Sequence, residues 1–131
     1  MSRNSHALFP TCPALLGLLL LAPLPAQSAW QLASPATSPA ARHGLAMVTD
    51  TTRDRVVLFG GEDAQGLIAD TWEWDGQNWL PITTASAPPA THLHAMAFDA
   101  ARQRTVLFGG VGNPGTWEYD GANWLLRQPS V

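Results

Sequence analysis

Lysine is absent from this 131-residue chain, and the seven basic residues are arginines scattered from Arg3 to Arg127. Ten carboxylates leave a formal net charge of -3. A surface that tracks phosphates needs a positive stripe, so no nucleic-acid partner is expected. The longest apolar stretch, Leu15–Ala22, falls well short of the roughly 20 residues that cross a bilayer, so no membrane span is expected either. Cysteine and tyrosine occur once each, at Cys12 and Tyr119. Charged residues make up only 13% of the chain, whereas tryptophan is abundant, with six copies at positions 30, 72, 74, 79, 117 and 124.

The first 28 residues read as a secretory leader. Arg3 supplies its positive end, Leu15–Ala22 its apolar centre, and Pro25-Ala26-Gln27-Ser28-Ala29 its small-residue cleavage region. Cleavage follows Ser28, with Ala26 at the minus-three position, or follows Ala26 itself. Cys12 precedes the apolar centre, so it is not placed as a lipid-modified cysteine would be. It leaves with the leader, and the mature segment 29–131 is expected to be secreted or periplasmic and free of disulfides. Packing alone must then hold it together.

That segment repeats itself. Ala41-Arg42-His43-Gly44-Leu45-Ala46-Met47 returns 49 residues later as Ala90-Thr91-His92-Leu93-His94-Ala95-Met96. At the same offset Arg55-Val56-Val57-Leu58-Phe59-Gly60-Gly61 returns as Arg104-Thr105-Val106-Leu107-Phe108-Gly109-Gly110, and Trp30 as Trp79. Thr71-Trp72-Glu73-Trp74-Asp75-Gly76 returns at an offset of 45 as Thr116-Trp117-Glu118-Tyr119-Asp120-Gly121. The length difference falls in the loop after each glycine pair, where a repeated structural unit tolerates it.

Each unit predicts four short strands. The first covers Leu45–Thr49 and His94–Phe98, and turns rich in Asp, Thr and Arg lead to the second at 56–59 and 105–108. These second strands are nearly continuous in apolar or β-branched side chains, which predicts burial on both sheet faces. The third alternates: Trp72 and Trp74 share a face opposite Glu73, as Trp117 and Tyr119 do opposite Glu118. Asp75-Gly76 and Asp120-Gly121 then make hairpin turns, and Trp79 and Trp124 open the fourth strand. Ala/Ser/Thr/Pro-rich links at 33–41 and 83–90 join the units.

A strand ending in Gly-Gly, followed by an aromatic residue and a Trp with six residues between them, resembles the kelch repeat. Trp72 with Trp79, and Trp117 with Trp124, occupy the two positions, although Tyr is the commoner first aromatic. The nearest likeness is the kelch-type propeller in the central domain of galactose oxidase and in many secreted bacterial proteins. The resemblance implies an all-β fold of two four-stranded antiparallel kelch-type propeller blades, at about 42–82 and 91–127. An orphan N-terminal outer strand at Trp30-Gln31-Leu32 precedes them. Propellers close with about 4 to 8 blades, so this is an incomplete propeller. The partners it calls for are other blades, from the same chain beyond Val131 or from a homo-oligomer; a marginal, partly ordered monomer is the remaining alternative.

The candidate chemistry is sparse. His92 and His94, two apart, share a face if extended, but no Cys or carboxylate completes a ligand set at the right spacing, so no metal is expected. The copper site of galactose oxidase uses a Tyr cross-linked to Cys; nothing here matches it residue by residue, and no cofactor is expected. Glu73, Glu118, Asp75 and Asp120 recur with the repeat and read as structural, and no glycosidase pair stands out. There is neither a nucleophile elbow nor a phosphate loop. The tryptophans read as packing residues rather than a sugar-stacking surface. The loop Glu62-Asp63-Ala64-Gln65-Gly66-Leu67-Ile68-Ala69 differs between units and is the better binding candidate. The function expected is therefore a secreted, non-catalytic binding or interaction module for a protein or glycan ligand. The alternative is a non-catalytic part of a secreted propeller enzyme whose active-site residues are absent here.

Overall fold

The computed structural model describes residues 31–128; the expected leader over 1–28, with Cys12, and Trp30 lie outside them. Leu32–Val131 is one compact unit and is described by itself. Its described part is all-β. The strands are β1 (Ala46–Asp50), β2 (Arg55–Phe59), β3 (Glu62–Asp63), β4 (Gly66–Leu67), β5 (Thr71–Trp74) and β6 (Trp79–Ile82). They continue with β7 (Ala95–Asp99), β8 (Arg104–Phe108), β9 (Thr116–Tyr119) and β10 (Trp124–Arg127).

Two four-stranded antiparallel sheets result, ordered β1-β2-β5-β6 and β7-β8-β9-β10, with β3-β4 a small ribbon. Both are compatible with propeller blades. Their registers repeat: Phe59 pairs with Ala46 and Thr71, as Phe108 pairs with Ala95 and Thr116. The first strands begin one residue later than expected, at Ala46 and Ala95, because Gly44 and Leu93 turn the chain with φ of 63° and 59°. Gln31 and Leu32 form no strand among the described residues; Leu32 is 95% exposed, with no neighbouring strand to pair with.

The turns follow from local chemistry. Asp75 Oδ1 accepts the backbone N–H groups of Gln77 and Asn78 at 2.8 and 2.7 Å, and Asp120 does the same for Ala122 and Asn123 at 2.9 and 2.8 Å. These Asx turns close the β5-β6 and β9-β10 hairpins. One glycine of each pair, Gly60 and Gly110, is required by crowding. A Cβ on Gly60 would lie 2.6 Å from Thr91 O, and one on Gly110 would lie 2.9 Å from His92 O and collide with Thr91 Oγ1. All four pair glycines also hold positive φ.

The links dock the same way in both units. Asn78 Oδ1 accepts Ala36 N at 2.7 Å, and Asn123 Oδ1 accepts Ala85 N at 2.7 Å. Thr37 and Ser86 hydroxyls donate to the carbonyls of Trp79 and Trp124.

The core lies between the two sheets. Val57 and Phe59 of β2 meet Leu107, Tyr119 and Trp124 of the second sheet, flanked by Val48, Ile82, Ala87, Met96 and Trp117. Cross-strand partners share a face, so the second sheet presents Met96, Leu107, Trp117, Tyr119 and Trp124 together. Burial of the second strands on both faces holds for β2, where Val57, Leu58 and Phe59 are all buried. It does not hold for β8: Leu107 is buried but Phe108 is 62% exposed. Alternate residues of a strand face opposite ways, and no sheet among the described residues covers the Phe108 side.

Candidate functional site

Polar clusters among the described residues include one kind that recurs with the repeat and others that do not, such as the fork of Arg42 on Asp70. The recurring kind sits at the sheets. Arg53 donates to Asp50 at 2.7 Å and to Glu73 at 2.8 Å, while Arg102 donates to Asp99 and Glu118, both at 2.7 Å. Glu73 and Glu118 are each buried, so an unpaired carboxylate would be costly there, and arginine forks resolve that. Glu118 also accepts from Arg127 Nε at 2.8 Å. That bond, against burial and with help from Arg102, holds its carboxyl below the usual range. Burial alone would raise Asp50; bonds from Thr52 and Arg53 outweigh it and lower the pKa. In both units the carboxylates are occupied by guanidinium groups.

Another cluster gathers where β2 and β8 end and β1 and β7 begin. Backbone bonds tie this end together: His43 N to Glu62 O (3.0 Å), Gly61 N to Thr91 O (2.9 Å), Leu93 N to Gly44 O (2.8 Å) and Val111 N to His92 O (3.0 Å). They bring Glu62 Oε2 to 3.4 Å from His43 Nε2 and 3.7 Å from His92 Nδ1. The two imidazole centroids are 6.3 Å apart. Sequence spacing missed this grouping, because Glu62 reaches His92 only through the close approach of the Thr91 segment to Gly61. Among the described residues, no group of three or more His, Cys, Asp or Glu side chains is placed to hold a metal ion.

His92 and His94 do not share a face. Leu93, at φ 59°, breaks the extended geometry that would align them. His94 turns into the core, edge-on to Phe59 with centroids 5.8 Å apart, and neither ring nitrogen finds a hydrogen-bond partner. Burial pushes its pKa below 6.5. It is a packed histidine.

The loop singled out in the sequence forms the β3-β4 ribbon, with Asp63 Oδ1 accepting Gln65 N at 2.8 Å at its tip. Leu67 is exposed, whereas Ile68 is half-buried and ties the ribbon back through its N–H to Gly61 O (2.9 Å) and its C=O to Thr91 N (3.2 Å). Nearby, Leu93 and Val111 are also exposed. Leu93 stands where the first repeat has Gly44, with nearly the same φ. A leucine in this region is strained by about 1 to 2 kcal/mol, yet its side chain is 69% exposed and gains little packing in return.

The tryptophans behave largely as packing residues. Trp124 is 1% exposed, and its Nε1 donates to Thr71 Oγ1 at 3.0 Å. Trp72 and Trp117 donate to Asp70 (2.7 Å) and Asn113 (3.1 Å). Trp74 and Trp79 are half-buried, 5.6 Å apart, on the face of the first sheet turned away from the second. No protein-family model matches the chain, and no curated protein matches it.

Proposed function

We propose that this chain is a secreted or periplasmic kelch-type propeller segment whose work is binding rather than catalysis. Its ligand site is the loop end around Leu67, Leu93 and Val111. The observation that carries this reading is Leu93. An exposed, strained leucine at a position that glycine fills without strain in the sister repeat contributes little to stability and is best explained by contact with something outside the chain. The exposed side chains there are aliphatic, which suits a protein surface better than a sugar ring; sugar recognition would call for exposed aromatic faces.

The same end adds His43, Glu62 and His92 as a polar centre that can orient a ligand. The recurring carboxylates are committed to Arg53, Arg102 and Arg127 and serve the sheets. Export rests on the leader pattern at 1–28.

The test uses the chain expressed with its own leader. The exported product is expected to begin at Ala29 or Gln27; recovery with Met1 intact refutes export. Peptides selected against it from a random displayed library are expected to compete with one another and to weaken at least about tenfold on Leu93→Gly. The same variant is expected to melt higher, by about 0.5–1 kcal/mol of stability, since glycine relieves the strain. Unchanged peptide binding with unchanged stability, or turnover of an oxidase or glycosidase substrate, refutes the reading.

A further inference from the structure

The interface between the two sheets is built from two different surfaces, and each sheet carries both. One surface is donated by the second sheet: Met96, Leu107, Trp117, Tyr119 and Trp124. The other is offered by the first sheet: Val48, Val57, Phe59, Thr71, Glu73 and Ile82. Trp124 meets Phe59 with ring centroids 5.3 Å apart, Trp124 Nε1 donates to Thr71, and Tyr119 Oη donates to Glu73 Oε1 at 2.9 Å. Arg53 lies 5.6 Å from the Tyr119 ring centroid.

The repeat reproduces both surfaces on the outside. On the first sheet, Met47, Leu58, Trp72, Trp74 and Trp79 occupy the donor positions; Met47 is 53% exposed, the three tryptophans are half-buried and Leu58 beneath them is buried. On the second, Ala97, Val106, Phe108, Thr116, Glu118 and Arg127 occupy the acceptor positions. There a groove of about 670 Å³ opens, lined by Val106, Phe108, Thr116, Glu118 and Arg127 among others.

We propose that these outer surfaces dock on one another between copies of this chain. Trp74 and Trp79 of one copy seat in the Phe108 groove of the next, head to tail. The inference rests on reading the sheets as blades.

Two exchanges favour a second copy as the occupant. The internal donor surface carries Tyr119, whose hydroxyl bonds Glu73; the outer donor surface carries Trp74, which has no such hydroxyl. Correspondingly, the internal acceptor surface has Ile82, whereas the outer one has Arg127, whose guanidinium takes the free oxygen of Glu118. The groove is thus already satisfied for a neighbour that brings Trp in place of Tyr. Arg102, the counterpart of Arg53, then meets a Trp ring, the strongest cation–π partner. The Thr116 hydroxyl waits for the Trp79 Nε1 as Thr71 receives Trp124.

Such an interface joins unlike surfaces, so it closes into a ring or runs on as a filament. Propeller blades close on themselves, so the head-to-tail contact is expected to end in a ring rather than a filament.

Met47→Asp and Phe108→Asp each place a charge on one outer surface at a side chain exposed in the single chain, so folding is spared. The full chain is expected to run as one discrete oligomer in sedimentation and native mass measurements at micromolar concentration. Each variant alone is expected to be monomeric, with association at least about 100-fold weaker, because a lone carboxylate is buried at the contact. Mixed in equal amounts, the two variants are expected to form a one-to-one dimer and nothing larger, since together they keep one intact interface. A monomeric wild type with an intact β-sheet circular dichroism spectrum overturns the docking and leaves the blade reading standing; loss of that spectrum in the wild type overturns both. Variants that remain oligomeric, or a mixture that stays monomeric, overturn the head-to-tail arrangement.

Discussion

Phe59 and Phe108 are the same residue of the same repeat, and their environments predict opposite consequences for one substitution. Phe59 is fully buried, against Trp124 at 5.3 Å and His94 at 5.8 Å between ring centroids. Removing its ring leaves a cavity bounded by two sheets that cannot close independently, so Phe59→Ala is expected to cost about 3–5 kcal/mol. For a unit of this size each kcal/mol lowers the melting temperature by about 4–8 °C. Phe108 is 62% exposed, and Phe108→Ala in dilute chain is expected to cost less than about 1 kcal/mol. Urea unfolding of the wild type and both variants, followed by tryptophan fluorescence at two protein concentrations, separates the effects. At high concentration the wild type gains stability by mass action, and Phe108→Ala gains none. Equal losses for the two variants in dilute solution would refute the reasoning, because repeat position rather than burial would then set the cost.

Two further perturbations probe the polar groups of the core. Tyr119→Phe removes the hydroxyl that donates to Glu73, and Arg53 still satisfies that carboxylate, so the loss is expected to be about 1–2 kcal/mol in a thermal melt; no change would mean that the bond contributes nothing. Burial and its bond to Glu73 hold the Tyr119 pKa above the ordinary value, so this contribution persists across neutral and mildly alkaline pH. His94 has its folded pKa depressed from 6.5 by burial. The unfolded chain therefore takes up a proton first as pH falls, and stability is expected to drop below pH 6.5 with a slope approaching about 1.4 kcal/mol per pH unit. His94→Leu, which restores the residue of the first repeat, Leu45, is expected to abolish that slope and to be neutral or stabilising at pH 7, since both ring nitrogens lack partners. Urea melts at several pH values check this, and the same slope in both proteins would sink it.

Most of the strand pattern could be read along the chain. The runs at 56–59 and 105–108, the alternation Trp72-Glu73-Trp74 and the Asp-Gly turns all encode local geometry, and local geometry survives folding here. What could not be read depends on close approach between distant segments. The glycine pairs mark strand ends in sequence, but Gly60 and Gly110 must be glycine because Thr91 and His92 pass beside them, which only the fold shows. Glu62 joins His43 and His92 for the same reason, across 19 and 30 positions of chain. A shared face for His92 and His94 required extended backbone between them, and one dihedral prevents it, at Leu93 just before the strand expected from His94. Burial of β8 on both faces failed because side-chain type reports what a surface is suited to meet, and not whether the partner is present.

That distinction gives the divergence of the repeats a physical reading. Where both sheets face the same demand, the residues are kept: Arg53 and Arg102, Glu73 and Glu118, Thr71 and Thr116. Where they differ, the differences come as matched sets across a contact. Tyr119 opposes Glu73 beside Ile82, and Trp74 lies on the surface that would oppose Glu118 beside Arg127. A sheet face released from any contact has no reason to keep Phe108 and Val106, which hold apolar area against water at about 25 cal/mol per Å². Nor would it need an arginine placed to satisfy a carboxylate in the absence of a tyrosine. Retention of the apolar pair together with replacement of the polar partner is what a contact preserved under a changed neighbour would produce.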